Sequence, residues 1–159
     1  MVFREFGEER HARRIARAIV ERRVEAPIER TADLAALVAQ AQPRPDPHKH
    51  AATRVFQAIR IHINEELEEV RLAIDAAFDL IRSGGRIAVL TFHSLEDRIV
   101  KHAFRRWTDG ESLPRRLPIR GRAATSARLI VRAQRADAAE VAANPRARSA
   151  MLRVLEKAA

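Results

Sequence analysis

The chain has 159 residues, of which 47% are hydrophobic and 4% aromatic, with a formal net charge of +9 and no cysteine. That length suits one domain or a domain with a small appendage. The missing cysteine excludes disulfides, thiolate metal sites and cysteine nucleophiles and fits a reducing cytosol. No apolar stretch is long enough to span a membrane, and the N-terminus, "MVFREFGEERHARR", has no signal-peptide-like apolar core. The positive charge points to a polyanionic partner, most often nucleic acid. Arginine far outnumbers lysine and alanine is abundant, so GC-rich coding accounts for part of that charge.

Phe3 to Arg23 predicts a helix. Ala12, Ile15, Ala16 and Ile19 share one face, and Arg10, Arg13, Arg14 and Arg17 share the opposite one, at the three- and four-residue offsets of helical neighbours. Pro27 closes it. "ERTADLAALVAQAQP" predicts a second helix, with Thr31 as N-cap and Pro43 as stop. The prolines of "PRPDPHKH" make the next stretch a stiff loop. A third helix should start near Ala51 or Ala52, with Ala52, Val55, Phe56, Ile59 and Ile63 on one face. Asn64 reads as a fresh N-cap. Glu65, Glu66, Glu68 and Glu69 then crowd a first turn, where the helix dipole favours negative charge. Leu67, Val70, Ile74, Ala77, Phe78 and Ile81 form the stripe of this fourth helix, and "SGG" ends it.

Arg86 to Phe92 predicts a strand, so apolar from Ile87 to Leu90 that both faces should be buried, as in a parallel sheet. Ser94 should then cap a fifth helix, with Asp97 as its capping-box partner. Residues 107–126 read as a basic loop, "RLIVRA" as a short strand, "DAAEVAANP" as a short helix stopped by Pro145, and "SAMLRVLEK" as a final strand. Helix, tight turn, buried strand, polar corner, helix is the order of a doubly wound α/β fold. In such folds ligands sit beyond the carboxyl ends of the strands, where His93 and Ser94 lie.

Four stretches, "FGEERHARRIARAIVERR", "ATRVFQAIRIHINEELEE", "GGRIAVLTFHSLEDRIVK" and "NPRARSAMLRV", together resemble the bacterial small-subunit ribosomal RNA cytosine-N4 methyltransferase H family, from Phe6 to about Val154. The resemblance implies S-adenosylmethionine-dependent methylation of a cytosine N4 amine in 16S rRNA. It implies a doubly wound methyltransferase sheet, residues 65–159 forming its C-terminal part and residues 1–64 most of an inserted helical, RNA-recognising domain. It also implies what this sequence lacks: a "GGHS"-type glycine turn, an acidic ribose-binding residue and a "DLGVSS"-type loop. Cofactor-binding residues are therefore expected to be missing. The chain should act as the C-terminal half of such an enzyme, binding S-adenosylmethionine weakly or not at all alone. Ala51 and Met151 stand where the family usually has proline and lysine.

Methylating a cytosine amine requires a flipped base, alignment and acceptors for the amine hydrogens. His93, Glu96 and Asp97 are the candidates here. Each has a plainer role: Asp97 as a capping-box partner, Glu96 as a favourable first-turn charge, His93 as a core or carbonyl-bonded imidazole. Arg10, Arg13, Arg14, Arg17, Arg54 and Arg60 are the expected RNA contacts, extended by the loop from Arg115 to Arg122, against the alternative of a solvated face. "NPRARS" reads as structural. His48, His50, His62 and His11 do not make a metal site, since no cysteine or carboxylate cluster completes them. The alternative function is a non-catalytic RNA-binding remnant or scaffold, with an open sheet edge that promotes self-association.

Overall fold

Gly7 and Glu8 interrupt the first predicted helix. The computed structural model, which describes residues 2–43, 50–109 and 125–159, divides that helix into α1 (Val2–Glu5) and α2 (Ala12–Glu25). Glu8 has a φ of 48°, and a Cβ on Gly7 would meet the Arg54 carbonyl oxygen at 2.5 Å. Glycine therefore lets this turn lie against α4 (Thr53–Ile63). The chain forms two compact units, Met1–Glu66 and Leu67–Ala159.

In the first unit, Ile15 and Ile19 of α2 pack with Val38 and Ala41 of α3 (Thr31–Ala41) and with Ala52 and Val55. Ala16, expected on the buried face of α2, is exposed. Buried Glu9 ties this core together: it accepts from the His11 backbone N–H at 2.8 Å and lies 3.4 Å from the Gln42 amide, which donates to the Ala51 carbonyl at 3.0 Å. Two predicted caps move. Arg30 holds the N-cap position of α3, so Thr31 is its first helical residue. Asn64 ends α4 rather than starting α5 (Glu66–Leu80). The reversal falls on Glu65, at φ 51°. Ile63, expected on the buried face of α4, is 71% exposed, whereas Ala58 and Ile61 are buried.

The second unit has a three-stranded sheet in the order β1-β3-β2, formed by Arg86–Thr91, Met151–Lys157 and Ala127–Arg135. Both outer strands pair antiparallel with β3, so β1 and β2 run parallel to each other. The helix α6 (Ser94–Thr108) connects them. Ile74 and Phe78 of α5, and Val100 and Phe104 of α6, bury Ile87 and Leu155 on one face. The expected two-sided burial of β1 is not found among the described residues: Ile87 and Thr91 are buried, whereas Leu90 is 54% exposed on the other face. Trp107, read as loop, stays in α6 and stacks on Phe78 with ring centroids 3.9 Å apart. The short helix α7 (Ala138–Ala143) and a 3-10 turn (Pro145–Ser149) lead into β3. Residues 44–49 of the proline-rich segment, His48 among them, and the Arg115–Arg122 loop lie outside the described residues.

The turn before β1 explains its glycines. Gly84 takes φ 75°, its N–H donates to the Lys157 carbonyl at 2.9 Å, and the Gly85 N–H donates to the Arg82 carbonyl at 2.8 Å. Lys157 in turn donates from Nζ to the Phe78 and Ile81 carbonyls at 2.8 and 3.0 Å, capping the end of α5.

Candidate functional site

Two residues past β1 the backbone is again extended. His93 has φ −144° and ψ 162° and is the N-cap of α6. Its Nδ1 accepts from the Glu96 N–H at 3.3 Å, and the Glu96 carboxylate accepts from the Phe92 and His93 N–H groups at 3.0 and 3.3 Å. The capping box expected from Ser94 and Asp97 is thus shifted by one residue, to His93 and Glu96. His93 Nε2 is 3.2 Å from a Glu96 oxygen. Even so, this buried nitrogen has no well-formed hydrogen bond among the described residues. The His93 imidazole, followed by the Phe92 N–H, holds the Glu96 carboxyl below the usual carboxylate range, against burial, which raises it.

Asp97 is held elsewhere. Its two oxygens accept from Arg153 Nε and Nη2 at 2.7 and 2.8 Å, a bidentate pair linking α6 to the central strand. Arg153 is 7% exposed and also donates to the Arg132 carbonyl. Its partner was not identified from sequence, although the signal is present: an arginine inside "MLRVL" would be buried, and a buried charge needs a partner.

The basic candidates separate into two sets. Arg13, Arg14 and Arg17 lie exposed on α2, with Arg10 just before it. Arg10, Arg13 and Arg14 line one concavity with Arg4, which the sequence reading did not include, and with Glu8 and Glu9. Arg14 and Arg17 line the next, with Glu21 and Gln40. Arg60 is engaged instead, giving two hydrogen bonds to Glu66 at 2.8 and 3.0 Å, and Arg54 lies 3.5 Å from the Glu8 carbonyl. Among the described residues no group of His, Asp and Glu is placed to hold a metal, and no helix is long and apolar enough to cross a membrane.

A family model described as the MraW methylase family matches residues 1–158. The chain belongs to this family. It is 55% identical over 160 residues to the ribosomal RNA small subunit methyltransferase H of Thioalkalivibrio sulfidiphilus, across 99% of this chain and 51% of that protein. The proteins of the same name from Xanthomonas euvesicatoria pv. vesicatoria and Chromohalobacter salexigens are 55% and 54% identical over 152 and 158 residues. These matches cover 96% and 98% of this chain and 45% and 48% of theirs. The chain therefore spans about half the length of the curated relatives it matches. Within the MraW match lie both sequence blocks that the Asp97–Arg153 pair joins.

Proposed function

We propose that this chain is the RNA-facing, C-terminal part of a cytoplasmic S-adenosylmethionine-dependent methyltransferase that modifies a cytosine N4 amine in small-subunit rRNA. The supporting observation is the match to relatives named for small-subunit rRNA methylation across nearly the whole chain. In this reading the first unit is the inserted RNA-recognition domain of a doubly wound methyltransferase. Arg10, Arg13, Arg14 and Arg17 take phosphates there.

The residues present do not fit the methyl donor. A phosphate or ribose cradle needs the order strand, glycines, helix, whereas Gly84 and Gly85 precede β1 and both their N–H groups are engaged, Gly84 by the Lys157 carbonyl of β3 and Gly85 by the Arg82 carbonyl. This chain supplies the corner at the end of β1. There Glu96, held ionised, is an acceptor for an exocyclic amine, His93 fixes its position, and the Asp97–Arg153 pair fixes α6.

The test replaces the matching region of the Thioalkalivibrio relative with this chain and assays the chimera on unmodified small subunits. Label recovered as N4-methylcytidine is expected, and label on another nucleoside, or none from a folded chimera, rejects the reading. Calorimetry of the isolated chain with S-adenosylmethionine should show no binding. Micromolar binding would overturn the claim that the donor site lies outside it.

A further inference from the structure

The face of the sheet away from α5 and α6 has two unlike ends. Near the start of β1, Arg86 and Arg128 are both engaged by Glu156, at 2.8 Å each. At the opposite end, where β1 and β2 finish, a concavity is lined by Leu90, Phe92, Leu152, Gln134, Arg135 and Arg146. Leu90 is 54% and Phe92 52% exposed. Arg135 and Arg146 have no side-chain partner among the described residues. The same face thus has neutralised arginines at one end and, at the other, unneutralised arginines beside bare apolar surface.

We propose that this concavity is a subsite for one unpaired nucleotide of an RNA strand. An exposed ring beside aliphatic side chains is a stacking platform for any base, and such stacking does not require a particular sequence. Arg135 and Arg146 flank the platform as donors to the phosphates on either side. Gln134, opposite Leu152 in the sheet register, brings an amide able to donate and accept along a base edge. Glu140, the one carboxylate among the lining residues, accepts from an exocyclic amine. The position matches where ligands sit in α/β sheets, beyond the carboxyl ends of the parallel strands. The subsite deepens the rRNA reading above by giving the strand a second foothold, apart from the arginine face of the first unit.

The experiment measures fluorescence anisotropy of a labelled oligocytidylate with the 159-residue chain, its Phe92→Ala variant and an Arg135→Ala/Arg146→Ala variant. All three positions are exposed, and circular dichroism verifies folding. Phe92→Ala should weaken single-strand binding by about ten-fold and leave binding to a duplex of equal length unchanged, since paired bases cannot enter. The double arginine variant should weaken single-strand binding and lower its log–log salt slope by about 1.4. Absence of binding by the parent, or parent-like binding by both variants, overturns the subsite. The chimera assay fails or succeeds independently. An active chimera with unchanged Phe92→Ala binding rejects the subsite alone, and an inactive chimera with Phe92-dependent binding rejects the methylation reading alone.

Discussion

Asp97 and Arg153 show how one buried charge sets the meaning of its neighbours. Two hydrogen bonds to Asp97 and one to the Arg132 carbonyl satisfy the guanidinium in a strand it shares with Leu155. Removing one partner of such a pair leaves an uncompensated charge at a cost of about 3–5 kcal/mol, whereas replacing both with apolar groups is far milder. Asp97→Ala should therefore destabilise the chain by about 3 kcal/mol in urea titrations, near the lower figure because the Asp97 side chain keeps 22% exposure. Asp97→Leu with Arg153→Met should recover most of that loss. His93 belongs to a different class of effect. His93→Ala should cost about 1 kcal/mol by loss of the cap, and His93→Asn should restore it; in the chimera, only a role beyond capping would leave His93→Asn inactive. Glu96 adds a pH dependence. Its folded pKa is depressed, so its contribution is fully present above the ordinary carboxylate value and lost as pH falls through the folded one. The melting-temperature gap between the parent and Glu96→Gln should be open at neutral pH and close in acid. A gap that widened in acid would contradict the cause assigned here.

Helices were the most legible elements because their stripes recur at helical spacing. Ile15 with Ile19, and Ile74 with Phe78, are buried where the pattern puts them. Helix ends were less legible, since several polar residues in a row each qualify as a cap and tertiary partners choose among them. Thr31 and Ser94 lost the cap position to a neighbour and Asn64 closes α4 instead, and in α6 the extended backbone of His93 decided it. Burial of β1 was misread for a related reason: "RIAVL" carries apolar residues on both faces, and sequence does not reveal which face a helix covers. The end of α5 gives a direct check. Gly84→Ala meets no atom within 4 Å, so its cost is backbone strain alone, about 1 kcal/mol, with Gly84→Asn costing less. Lys157→Met should speed amide exchange in the last turn of α5, whose carbonyls would lose their donor.

For the whole molecule, charge was legible as an amount but not as a distribution. Arg13, Arg14 and Arg17 were placed on one face by spacing alone. That Arg60 is engaged by Glu66, and that Arg4 joins the concavity of Arg10, depend on turns which the sequence does not announce. RNA titrations over a range of salt can separate the two sets. Each of Arg13→Ala, Arg14→Ala and Arg17→Ala should lower the log–log slope by about 0.7 for a lost single-strand phosphate contact. Arg60→Ala should leave the slope unchanged.

The pairing between β2 and β3 shifts register twice, between Leu129 and Val131 and between Val131 and Gln134, whereas β1 pairs with β3 without interruption. Such irregularities twist a strand away from neighbours, and β2 also carries Arg128, Arg132 and Arg135, so its outer side is a poor template for addition. β1 has no such register shift, and its one charged residue, Arg86, is engaged by Glu156. Any addition to the sheet of the isolated chain should therefore be one-sided: a second copy joining β1 to β1 would close a two-fold pair and leave the β2 edges outermost. Sedimentation at rising concentration should accordingly level off at twice the monomer mass, with no filaments.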